Sequence, residues 1–103
     1  MRPIRWSVTA RAEYLNILRR TRGDNPTAAR RVANEIKRAM DLLARHNIGR
    51  RGRVEGTFEK SVVGLPYIIA YAIDTEADGR ERLVVLRIIH TSRHWPPGQW
   101  PKT

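Results

Sequence analysis

Five side chains toward the C-terminal half are candidates for moving a proton or holding an anion. Glu59 and His90 could take or give a proton, and Lys60, Arg87 and Arg93 could steady a negative charge developing beside them. His90 ends an apolar run and could equally hydrogen-bond backbone there. His94 follows beyond the end of that run, and three scattered histidines with no cysteine leave no ligand set at workable spacing, so neither a metal nor a cofactor is expected. The absence of cysteine also excludes a thiolate nucleophile, a disulfide framework and a cysteine-based zinc site. Tyr67 and Tyr71 fall on one face of a strand and read as packing residues.

Charge points to a partner. Twenty Lys and Arg against ten Asp and Glu give a net charge of +10, and only Lys37, Lys60 and Lys102 are lysines. The rest are planar guanidinium forks suited to carboxylate and phosphate, so the partner is a nucleic acid or an acidic protein. Arg50, Arg51 and Arg53, in a glycine-flanked stretch, form the purest electrostatic patch.

The elements that must position these residues follow from the pattern. A chain of 103 residues makes one domain, 1–103. Pro3 to Val8 alternates as a short strand. Thr9 then offers a cap for a helix carrying Ala12, Leu15 and Leu18, with Glu13 in its first turn and Gly23 as its stop. Asn25-Pro26 is a second helix start, followed by an apolar stripe through Ala29, Val32, Ile36, Met40 and Leu43. After a loop over Asn47 to Gly56 come three strand candidates, Thr57 to Val63, Tyr67 to Asp74 and Leu83 to His90. Short connections imply an antiparallel meander. The expected fold is α/β (α+β), a β-α-α-β-β-β domain with a helical hairpin on one face of a mainly antiparallel sheet. In the last strand Val84, Leu86 and Ile88 are expected on one face and Val85, Arg87 and Ile89 on the other. Both faces then need cover: the helices on one, and the C-terminal tail or a partner on the other. Arg87, inward among aliphatics, should meet a carboxylate or a carbonyl. No apolar run approaches the length of a membrane span and no targeting segment is read at the N-terminus, so the working location is cytoplasmic.

This order of elements, with Gly64-Leu65-Pro66-Tyr67-Ile68-Ile69-Ala70-Tyr71 and with Leu86-Arg87-Ile88-Ile89-His90 running on to Arg93-His94-Trp95-Pro96, resembles the RelE/ParE toxin superfamily of bacterial type II toxin–antitoxin systems. The resemblance is nearest the ParE branch and spans Trp6-Ser7 to Trp95-Pro96. It implies a toxin held in a hetero-oligomer by a cognate antitoxin with an acidic, amphipathic C-terminal segment. The antitoxin contacts expected are Leu15, Leu18, Val32, Ile36 and Tyr67.

Two activities are known in such families. A RelE-like nuclease cleaves ribosome-bound mRNA and would here use Glu59, Lys60, Arg87 and His90. A ParE-like toxin inhibits DNA gyrase and needs only a binding surface, expected at Arg87, His90, Arg93 and Trp95. Tyr67-Ile68-Ile69 stands where RelE-like nucleases carry a strand arginine, and Thr91 where some carry a tyrosine. The gyrase reading therefore leads, with no catalytic residue expected. The ribonuclease is the alternative, and a plain nucleic-acid-binding module the third.

Overall fold

The computed structural model describes residues 1–93 and 97–101. Its elements are β1 (Ile4–Trp6), α1 (Val8–Asp24), α2 (Pro26–Arg45), β2 (Arg50–Arg51), β3 (Phe58–Ser61), β4 (Tyr67–Thr75) and β5 (Glu81–His90). The strands form one sheet in the order β1-β5-β4-β3-β2, with β1 parallel to β5 and the other pairs antiparallel. The expected α+β architecture is thus present with one strand more: Arg50 and Arg51, read as loop, pair with Glu59 and Phe58.

Local chemistry sets the helix ends. Ser7, not Thr9, caps α1: its Oγ accepts the Ala10 amide at 3.0 Å while its hydroxyl donates to the Leu86 carbonyl at 2.9 Å. One side chain therefore ends β1, starts α1 and binds β5. The helix begins at Val8, so Glu13 lies beyond its first turn, and Gly23 lies inside it. Asn25 closes α1 through its amide to the Thr21 carbonyl and opens α2 by accepting from the Thr27 and Ala28 amides. A single residue thus serves as stop and start, which forces the tight antiparallel hairpin.

The stripe foreseen on α2 packs against the sheet: Val32, Ile36, Met40 and Leu43 are buried with Ile69, Tyr71, Leu83, Val85 and Ile88. On α1 it is Ala10 and Ile17 that are buried, while Ala12 and Leu15 are exposed and Leu18 is half-buried. Helix α1 is weakly amphipathic, so three-residue steps alone do not choose its inner face.

A β-bulge decides which side chains of β5 face which layer. Tyr71 pairs with Val85 but Ala70 with Arg87, leaving Leu86 as an extra residue on β5. Leu83, Val85 and Ile88 consequently share the helix-facing core, whereas Ile89 joins Ile68 and Ala70 in a second cluster against Trp100. The expected division, with Ile88 on one side and Val85 on the other, is overturned because the bulge shifts the alternation by one. The second face is covered by the tail, with Trp100 on the cluster, Pro101 buried, and the Gly98 amide bonded to the Arg53 carbonyl at 2.8 Å.

Tyr71 is fully buried and pins the loop before β2, donating to Asn47 Oδ1 at 2.7 Å and accepting from the Gly49 amide at 3.0 Å. A side chain at Gly49 would run into the Tyr71 hydroxyl and the Glu59 carbonyl, so only glycine permits this approach. Burial pushes the Tyr71 phenol above its ordinary pKa, the Gly49 amide and the Arg2 charge opposing.

Candidate functional site

The C-terminal half of β5 is where charge and open surface meet. Strand β1 pairs with β5 only from Leu83 to Val85, and beyond that α1 supplies the missing partner. Glu13 Oε1 accepts the Ile88 amide at 3.0 Å, as a neighbouring strand would. The same carboxylate takes the Arg87 guanidinium in a fork, Nε at 3.0 Å to both oxygens and Nη2 at 2.9 Å to Oε2. The remaining arm of Arg87 donates to the Pro101 carbonyl at 3.1 Å. This pair, 10% and 18% exposed, joins helix, strand and tail. The sequence-based reading of Arg87 as paired with a carboxylate or a carbonyl therefore describes both bonds. Glu13 escaped that reading because its partner is 74 positions away. A signal was present, since Glu13 is the sole carboxylate between Met1 and Gly23 and Arg87 the sole charge between Leu83 and Ile89.

Two grooves flank α1. One, of about 440 Å³, runs between α1 and the end of β5 and includes Glu13, Asn16, Arg19, Arg20, His90 and Arg93 in its lining. The other, of about 520 Å³, lies across the hairpin, with Leu15, Leu18, Ala29 and Ala33 along it and Arg19, Arg22 and Arg30 at its rim. Leu15 is 47% exposed there, an apolar side chain with an unfilled face.

The structure does not gather the four nuclease candidates. Side chains of directly paired residues share a face. Glu59 pairs with Ala70 and Ala70 with Arg87, so these two charges lie on the face away from the helices. Lys60 pairs with Ile69 and His90 with Tyr67, which places them on the helix-facing side. Each member is also engaged. Glu59, 3% exposed, accepts the Arg53 amide at 2.8 Å and the Arg50 guanidinium at 3.3 Å. Lys60 Nζ donates to the Ser61 carbonyl at 3.0 Å. His90 Nδ1 accepts the Ser92 amide at 3.1 Å, and its ring meets Tyr67 edge-on with centroids 5.4 Å apart.

Of the target-binding candidates, His90 and Arg93 line the groove beside α1, Arg87 is buried at its end, and Trp95 lies outside the described residues, as does His94. Of the antitoxin-binding candidates, Leu15 and Leu18 line the hairpin groove, whereas Tyr67 lines the other. Val32 and Ile36, 5% and 1% exposed, are inside the core and offer no surface to a partner. Their stripe was correctly periodic but faces the sheet. Among the described residues no group of three or more potential metal ligands is found, and no helix is long and apolar enough to cross a membrane.

Residues 4–95 match the family model described as the ParE toxin of type II toxin–antitoxin system, parDE. The chain is 34% identical over 94 residues to a Sinorhizobium fredii protein named "Putative toxin Y4kP", a match covering 90% of this chain and 92% of that one. Its fold is similar to that of a chain described as "Chromosomal ParDE TA system from P. aeruginosa", with a TM-score of 0.76 at 18% identity, over 89% of this chain and 98% of that one.

Proposed function

The chain belongs to the ParE toxin family of type II toxin–antitoxin systems, and from that premise we propose that it acts by binding DNA gyrase rather than by cleaving RNA, and that an antitoxin neutralises it by laying an acidic amphipathic helix in the groove of the α1–α2 hairpin.

One observation carries the choice of activity. Cleavage through a 2′-hydroxyl needs an acid, a base and phosphate-stabilising cations around one phosphorus atom. Here Glu59 and Arg87 lie on one face of the sheet and Lys60 and His90 on the other, and Glu59 and Arg87 are tied into structural pairs. A binding toxin has no such requirement. Arg93 and Trp95, following His90, supply a cation and a large aromatic of the kind that dominates interface energies. For the antitoxin, the exposed face of Leu15 offers an apolar anchor, and Arg19, Arg22 and Arg30 at the rim offer partners for carboxylates.

The test is a gyrase supercoiling assay run beside mRNA cleavage on translating ribosomes. Inhibition of supercoiling that is lost in Arg93→Ala/Trp95→Ala and kept in Glu59→Gln is the expected result. Ribosome-dependent cleavage that disappears in Glu59→Gln or His90→Ala, with supercoiling untouched by the wild-type chain, would instead establish the nuclease. For the antitoxin groove, Leu15→Glu should weaken capture by the antitoxin at least tenfold without altering the unfolding midpoint; unchanged capture would place the antitoxin elsewhere.

A further inference from the structure

We propose that the groove between α1 and the end of β5 is a phosphodiester-binding site whose occupant is the backbone of duplex DNA, and that Arg19 makes its occupancy antagonistic to occupancy of the hairpin groove by the antitoxin. The antagonism rests on the antitoxin reading above and the choice of duplex DNA on the gyrase reading; the anion site itself rests on neither.

The charge balance inside the groove comes first. Among the described residues Glu13 is the only carboxylate lining it, and four hydrogen bonds from Arg87 and the Ile88 amide consume that charge. Arg19 and Arg20 remain as cations along the same wall. Arg19 and Arg20 have no carboxylate partner among the described residues, and Arg19 makes only a long bond of 3.4 Å to Asn16 Oδ1. His90, whose Nδ1 accepts the Ser92 amide, adds Nε2 as a donor. The described lining is therefore a set of donors with no uncompensated carboxylate among them. Planar guanidinium forks in that arrangement match phosphate oxygens.

The polar contribution separates the two grooves, whose apolar linings are alike in extent. In this groove the aliphatic residues Ile17, Ile88 and Ile89 are 4%, 3% and 2% exposed, and arginine side chains stand along the wall instead. That added charge is what a nucleic-acid backbone would meet. The hairpin groove, with Leu15 47% exposed, suits the apolar side of a peptide helix instead. Duplex DNA is the phosphodiester assigned, because it is the substrate held by the enzyme this toxin is proposed to bind.

Arg19 lines both grooves. It stands between Leu15 and Leu18 on one side and Arg20 and His90 on the other, and it carries one positive charge, which an antitoxin carboxylate would neutralise at the expense of a phosphate. An acidic helix in the hairpin groove therefore withdraws a cation from the phosphate site. By linkage the effect is reciprocal, so DNA weakens the antitoxin by the same factor.

The measurement is fluorescence anisotropy of the purified full-length chain with a labelled short DNA duplex across a salt series. A second series contains a saturating synthetic peptide with the C-terminal sequence of the antitoxin. Saturable binding is expected to weaken with salt, and Arg19→Ala/Arg20→Ala should lower the log–log salt slope by about two and the low-salt affinity at least tenfold. Arg38→Ala/Arg45→Ala, on the far side of α2, should change affinity no more than about twofold. The peptide should weaken DNA binding by about fivefold, and that factor should fall toward one in Arg19→Ala. Duplex binding that is absent, or indifferent to the Arg19/Arg20 change, overturns the site. Tighter binding of an RNA of equal length, or of a poly-glutamate peptide, reassigns its occupant and likewise overturns the proposal. Peptide and DNA binding together without interference overturns the antagonism while leaving the antitoxin reading intact. Failure of the peptide to bind at all counts against that earlier reading.

Discussion

Removing the carboxylate of Glu13 should destabilise the fold more than any surface change on α1. Glu13 is the counter-ion of an arginine that is only 10% exposed, and it also replaces a strand for the Ile88 amide. Taking away one partner of a buried pair strands the other charge, at about 3–5 kcal/mol. Residual exposure of both side chains argues for the lower end, about 3 kcal/mol, in Glu13→Ala. A domain of this size holds only about 5–15 kcal/mol in all, and each kcal/mol moves the midpoint about 4–8 °C, so a fall of about 12–24 °C is expected. Glu13→Gln, which keeps an acceptor for the Ile88 amide, should lose about 2 kcal/mol, and Arg87→Met, which strands the Glu13 carboxylate, about 3 kcal/mol. Combined, Glu13→Gln/Arg87→Met should return to within about 1 kcal/mol of the wild type, because neither charge is then stranded and the amide keeps its acceptor. Urea unfolding followed by tryptophan fluorescence gives all four corners of this cycle. Strictly additive losses, or single variants within about 0.5 kcal/mol of the wild type, would show that the pair is not a coupled buried unit and would refute the reasoning.

Tyr71→Phe should lose about 1–3 kcal/mol by leaving Asn47 Oδ1 and the Gly49 amide without their partner, read from the urea midpoint. Because burial raises the Tyr71 pKa, the native state keeps the phenolic proton longer than the unfolded chain does. Its contribution is therefore full below the ordinary tyrosine value of about 10 and falls as pH rises through the folded-state value. Midpoints measured on either side of about pH 10 should show this alkaline loss in the wild type and a smaller one in Tyr71→Phe. Asn25→Ala removes the acceptor for the Thr27 and Ala28 amides and should lose about 1 kcal/mol; a loss below about 0.3 kcal/mol in the same assay would show that water caps α2 equally well.

Within the sheet, what could be read in advance was the part fixed by short-range periodicity. The β-branched and aromatic richness of Tyr67 to Asp74 announces β4, the stripe from Ala29 to Leu43 announces the inner face of α2, and Asn25-Pro26 announces its start. These signals are strong because steric and hydrogen-bonding preferences within a few residues do not depend on the remainder of the chain. The same locality explains the errors. Two apolar rows compete on α1, and only docking against β5 selects Ala10 and Ile17 over Leu15. The two-residue strand β2 forms because Glu59 and Phe58 are placed opposite it.

For the site, the sequence by itself determined the charge excess, the absence of cysteine and the segments that carry the family resemblance. It also made Arg87 conspicuous as a lone charge in an apolar strand. Its orientation was a tertiary decision. The extra residue at Leu86 turns Arg87 and Ile89 away from the helical core, and Glu13 then reaches Arg87 around the end of β1. That bulge also leaves Glu59 and Arg87 on one face and Lys60 and His90 on the other. The strand's alternation is local, but the register in which it is read is set by pairing with β4 and β1, and a one-residue shift in that pairing moves a side chain from one face of the sheet to the other.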